Sequence, residues 1–153
     1  MEAAITVASN LRDDDYREVM EGHGQFPLFY IPMTAFKGDS YYFKAPNGEA
    51  AAICGFNGDI IWLLCTPLVE EYPHSFARSS KKFLATRTEK VLGNIVDKRN
   101  TVHLKFLKFL GFKFLRELKH GPNQLTFIEF CRGIPNFRSS TSRITNSRSI
   151  FSP

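Results

Sequence analysis

A chain of 153 residues is most simply one domain, long enough to bury a core. No run of about 18 apolar residues occurs, so no membrane span is expected. The start, MEAAITVASNLRDDD, lacks the basic and apolar regions of a secretory signal. Net charge is +5, but Arg138, Arg143 and Arg148 lie beyond Gly133 and no acid follows Glu129, so residues 1–133 carry only +2. A globular part with so little bias gives no reason to expect a strongly basic nucleic-acid domain, whereas a basic tail suits an anionic neighbour. Three scattered cysteines without a CxxC read as reduced, packed thiols in a cytosolic setting.

In chain order, Ala4–Ala8 is a short run containing β-branched residues and predicts a strand. A helix is expected from about Arg12 to Glu21, with Asp13, Asp14 and Asp15 in its first turn, where carboxylates meet the positive end of the dipole. Three consecutive carboxylates on a helix point about 100° apart, which argues against a shared metal ion. Residues 28–37 predict a second short helix with Pro32 near its start. Ser40–Lys44 and Ala50–Phe56 predict a hairpin closed by Asn47-Gly48 as a type I′ turn. Ile60–Thr66 is a continuous apolar run, as expected for a central strand buried on both faces.

The pattern turns helical from about Pro73 to Leu92, with Gly93 as its terminator, and Asn94–Asp97 predicts a short strand. Asn100 suits a helix N-cap. After it, Val102, Phe106, Phe109 and Leu110 share one helical face, and Gly111 suits the C′ position. Phe112–Leu118 and Leu125–Cys131 predict a final pair of strands. The alternation implies an α+β fold with a mixed sheet covered by helices on both faces.

Composition changes at Gly133. We therefore divide the chain into a globular unit, 1–133, and a Ser/Thr/Arg-rich segment, 134–153, expected to be an extended arm too poor in apolar residues to fold alone. Fully stretched, it would reach roughly 65 Å. Phe137, Arg138, Arg143, Ile144, Arg148, Ile150 and Phe151 are its candidate partner-binding residues. Regularly spaced Ile and Phe would seat in pockets while Arg meets carboxylates on another subunit.

The strand–helix order and Asn100…Leu110-Gly111-Phe112 resemble the GCN5-related N-acetyltransferase (GNAT) superfamily. Within Asn100–Gly133, the Asn-Thr-x-His-hydrophobic-Lys-Phe-Leu-Lys run, its Gly turn and the closing Gln-Leu-Thr-Phe strand more closely resemble the acetyltransferase-like internal virion protein A of short-tailed podophages. The likeness extends more weakly through Trp62-Leu63-Leu64, the basic helix near 77–84 and the opening Ile-Thr-Val strand. It implies a virion protein, found in the particle and, during assembly, in host cytoplasm. Its implied partners are internal core, portal or tail subunits, with possible weak contact with packaged DNA. The GNAT resemblance alone implies the alternative, an acetyl-CoA-dependent N-acyltransferase.

Two departures weigh against catalysis. GNAT enzymes bind the coenzyme's pyrophosphate at a glycine-rich turn after a central strand, through backbone N–H groups. The matching stretch here, Thr66-Pro67-Leu68-Val69-Glu70-Glu71-Tyr72-Pro73, contains no glycine, and its two prolines lack a donor. Glu70 and Glu71 add negative charge, at a cost of about 1 kcal/mol per carboxylate–phosphate pair at ~5 Å in water-like surroundings. Many members also place a Tyr seven residues after the Asn as proton donor; here that residue is Leu107. Asp59 or Glu49 could be proposed as a base, but no second group pairs with either. We expect no cofactor, no catalytic residue and no metal: His23, His74, His103 and His120 show no ligand spacing. Lys81, Lys82, Lys98, Arg99, Lys105, Lys108 and Lys113 are candidates for a basic strip.

Overall fold

A computed structural model describes residues 1–133; the arm residues Phe137 to Phe151 singled out above lie outside the described residues. Three helical segments come first: α1 (Glu2–Ser9), α2 (Asp13–Arg17), which continues as a single π-helical turn (Glu18–Gly22), and α3 (Pro27–Lys37). A three-strand meander follows, β1 (Asp39–Lys44), β2 (Ala50–Asn57) and β3 (Ile60–Cys65). Then come α4 (Leu68–Glu71), α5 (Pro73–Ala85), β4 (Val91–Asp97), α6 (Thr101–Phe109), β5 (Lys113–His120) and β6 (Leu125–Gly133). The six strands form one mixed sheet in the order β1-β2-β3-β4-β6-β5. Only β3 and β4 pair in parallel among the described residues. No helix among them is long and apolar enough to cross a membrane.

Three expectations need correction. The expected opening strand is helix α1. Ala4, Val7 and Ala8 fall at i, i+3 and i+4, one helical face, and all three are buried against Ile53, Trp62 and Leu64. Alanine favours the helix, and tertiary burial overrides the strand preference of Ile5, Thr6 and Val7. The expected helix to Leu92 ends at Ala85, and β4 starts at Val91 with Gly93 inside it, opposite Ile60 and Cys131. The Asn47-Gly48 turn is not type I′. Gly48 has φ +91°, but Asn47 does not share a positive φ, and its side-chain Oδ1 accepts from Glu49 N.

Helices α1 and α3 cover one face of the sheet; α5 and α6 cover the other, packing Leu84 and Leu107 on Phe56, Leu92 and Phe130. Phe76 of α5 stacks on Phe106 of α6 with ring centroids 4.9 Å apart. Trp62 lies flat over Gly55 on the neighbouring strand, where an added Cβ would meet the indole at 2.4 Å. Only glycine lets the ring reach the backbone there.

Candidate functional site

In open mixed sheets, ligands enter where two parallel strands part beyond their carboxyl ends. Here that place is the divergence of β3 and β4. The strands touch at Ile60 and Gly93, with Gly93 N donating to Asp59 O at 2.9 Å. One step on, the Asn94 side chain bridges the widening gap: Nδ2 donates to Ile61 O at 3.0 Å, and Oδ1 accepts from Ile95 N at 2.8 Å.

Farther out, the chain closes its own cleft. Thr66 N donates to Ala51 O on β2, so the neighbouring Cys65 turns its N–H and C=O toward β4. Neither is left open. Cys65 N donates to Asp15 Oδ2 at 3.0 Å, and Arg12 N donates to Cys65 O at 2.9 Å. On the opposite lip Asp97 N donates to Glu18 Oε1 at 2.7 Å. Asn100, at the N-cap of α6, donates from Nδ2 to Asp15 Oδ1 at 2.8 Å. Arg12, itself buried, donates from Nη1 to Asp15 Oδ2 at 3.4 Å and from Nε to Glu70 Oε1 at 3.0 Å. Segment 12–18 is thus wedged between the strand ends, and Asp15, 1% exposed, joins both sides.

What remains of the cleft is a cavity of about 40 Å³ lined by Glu18, Leu63, Asn94, His103 and Leu107, among others. That is room for about one water and roughly a tenth of a small-molecule pocket. Burial disfavours charge on the ionisable groups around it. Burial, and then Asp15 nearby, pushes Glu18 up to about 8. Burial raises Asp15 to about 6, with Arg12 opposing. Burial, helped by Arg12, lowers His103 to about 4, leaving it neutral at physiological pH. The Cys65 thiol is buried and held well above its ordinary value by burial, so it keeps its proton and is no ready nucleophile.

The turn after β3 is equally occupied. Leu68 N donates to Thr66 Oγ1 at 3.3 Å, Val69 N to Thr66 O at 3.3 Å, Glu70 N to Pro67 O at 3.0 Å and Tyr72 N to Leu68 O at 3.1 Å. Four amides that a phosphate-binding turn would point outward are committed within the turn. Leu107, in the place expected of a tyrosine, is buried in the core. Asp59 accepts through its backbone at the strand junction, and Glu49 lies in the β1–β2 loop, where it lines a separate concavity with Thr66, Pro67 and Leu68. Among the described residues, no three of His, Cys, Asp or Glu come together to hold a metal ion. In sequence Asp15 is one of three first-turn carboxylates and Glu18 carries no signal, yet the two organise the site.

No protein-family model matches the chain, and no curated protein sequence matches it. Solved structures do. An acetyltransferase of the GNAT family from Bacillus anthracis aligns with a TM-score of 0.60 at 11% identity, covering 86% of this chain and 87% of that one. The aminoglycoside acetyltransferase AAC(6')-Ib, solved in complex with coenzyme A, aligns with a TM-score of 0.53 at 13% identity, covering 92% and 94%. An IAA acetyltransferase from Bacillus cereus aligns at 0.50 and 8% identity, covering 76% and 89%. The fold is therefore that of the GNAT acetyltransferases.

Proposed function

We propose that this protein uses the GNAT fold without its chemistry and acts as a structural component of a phage particle. The observation that carries the non-enzymatic half is the wedge: Arg12, Asp15 and Glu18 satisfy the strand ends between which a ligand would have to lie. A thioester coenzyme entering there would have to break the buried Asp15–Asn100 and Asp15–Cys65 hydrogen bonds. The virion half rests on the resemblance of Asn100–Gly133 to podophage internal virion protein A. On this reading the protein sits in the particle, is assembled in host cytoplasm and contacts core, portal or tail subunits. Phe137, Ile144, Ile150 and Phe151 of segment 134–153 would be the anchors, and Arg138, Arg143 and Arg148 the ion-pairing groups.

A second reading, an acetyl-CoA-dependent N-acyltransferase with an atypical cofactor turn, draws support from the neighbours, which are named as acetyltransferases. Calorimetric titration of the full chain with acetyl-CoA separates the two. We expect no saturable heat at about 100 μM ligand; micromolar affinity with turnover would reverse the assignment. Quantitative mass spectrometry of purified particles tests the virion half. A fixed copy number per particle is expected, and absence from particles would remove it.

A further inference from the structure

Helices α5 and α6 lie side by side, and neither contains a carboxylate. Between them they carry Arg78, Lys81, Lys82, Lys105 and Lys108, all exposed. Of the twenty Lys and Arg, three lie beyond Gly133 and five on these helices, leaving twelve against all fifteen Asp and Glu. The two helices together therefore carry +5, while the rest of residues 1–133 sums to −3. None of the five forms an ion pair among the described residues. By contrast, Lys98 pairs with Glu117, and Arg99 with Asp97 and Glu21, which removes both from the expected strip.

Three of the five, Arg78, Lys81 and Lys82, border a groove. His74, Arg78, Lys81, Lys82 and Phe109 line an open concavity of about 490 Å³. Phe109, the last residue of α6, is 51% exposed, and Lys81 Nζ stands 5.2 Å from its ring centroid. An apolar ring left in water among unpaired cations combines the two elements of a single-strand platform, charge for phosphates and a π-face for a base. A closed duplex offers no free base face to such a ring.

We propose that the α5–α6 groove binds single-stranded nucleic acid, with Arg78, Lys81 and Lys82 on phosphates and Phe109 against a base. This inference does not rest on the virion assignment. The test uses the full chain and a fluorescein-labelled oligothymidylate of about 20 nucleotides, followed by anisotropy across a KCl series. Three neutralised phosphates predict a slope of log K against log salt of about −2. The double substitution Lys81→Glu, Lys82→Glu is expected to weaken binding more than about tenfold. Phe109→Ala is expected to weaken it about tenfold while leaving the salt slope unchanged. Thermal melting by circular dichroism checks that each variant is folded.

Replacing Arg138, Arg143 and Arg148 by alanine asks whether the tail is the site instead. Binding that survives this change and is lost in the helix variants supports the groove; the opposite pattern overturns it. No binding at 50 mM KCl, or duplex bound as tightly with Phe109→Ala neutral, also overturns it. So does stoichiometric displacement of the oligonucleotide by coenzyme A, which would assign the groove to a coenzyme nucleotide.

Discussion

Replacing Asp15 by alanine is expected to lower unfolding stability by about 3–5 kcal/mol, the cost of breaking a buried charged pair from one side. The carboxylate accepts from Cys65 N, Asn100 Nδ2 and Arg12 Nη1. Its removal leaves a strand amide, a side-chain amide and a buried guanidinium short of partners, each penalised by its own desolvation. For a domain with a typical total of about 5–15 kcal/mol, this is a large share. Asp15→Asn keeps one acceptor oxygen and should lose less. Urea unfolding at pH 7, with the slope m compared between variants, measures both. A loss below about 1 kcal/mol for the alanine variant would show that the wedge does not hold the strand ends together.

A rise in pH from 6.5 to 8 is expected to destabilise the protein, and Glu18→Gln to abolish most of that loss. Glu18 titrates near 8 in the fold, because it is buried and faces Asp15, against an ordinary 4.5. Below pH 4.5 both folded and unfolded chains hold the proton. Between 4.5 and 8 the unfolded chain has released it and the folded one has not, so stability falls as pH rises and is fully lost once the folded group ionises. His23 and His103, lowered by burial to about 3 and about 4, act oppositely. They make the fold more stable as pH rises toward 6.5, while Asp15, raised by burial to about 6, acts with Glu18 below that value. From 6.5 to 8 the glutamate dominates, before ionisation of the unfolded chain's thiols, which burial of Cys54 and Cys65 opposes in the fold, adds to the loss. One proton across this window amounts to about 2 kcal/mol. Glutamine is neutral throughout and can still accept from Asp97 N. The variant should therefore match the parent near pH 4 and exceed it at pH 8.5 in urea midpoint. Parallel pH profiles would show that Glu18 is not the titrating group.

The parts of the fold that could be read from sequence are those written locally. Asn100 and Gly111 bracket α6, and the Asn100 side chain accepts from His103 N as a cap should. The three successive strands of the meander and the glycine-free turn after β3 needed only neighbouring residues. The first element was misread because a five-residue run cannot distinguish period 2 from period 3.6. Its helix face became decisive only once Ile53 and Trp62 were present to bury it. The wedge was beyond sequence reasoning for a different reason. Asp13, Asp14 and Asp15 are chemically identical, and only helix phase sends Asp14 to Arg17 and Asp15 inward, to partners 50 and 85 positions away. The basic face was half legible. Lys98 and Arg99 looked equivalent to Lys105 and Lys108, and only their contacts with Glu117, Asp97 and Glu21 set them apart.

The packing of Trp62 on Gly55 gives the molecule a built-in optical gauge. It is the chain's only indole, 5% exposed, set on β3 between the first helix and the small cavity bounded by Glu18. Withdrawal of segment 12–18 would hydrate that chromophore and shift its emission to longer wavelength, without any label. Whether a solute, a pH jump or a docking event loosens the amino-terminal region can thus be followed in real time from a single spectral band.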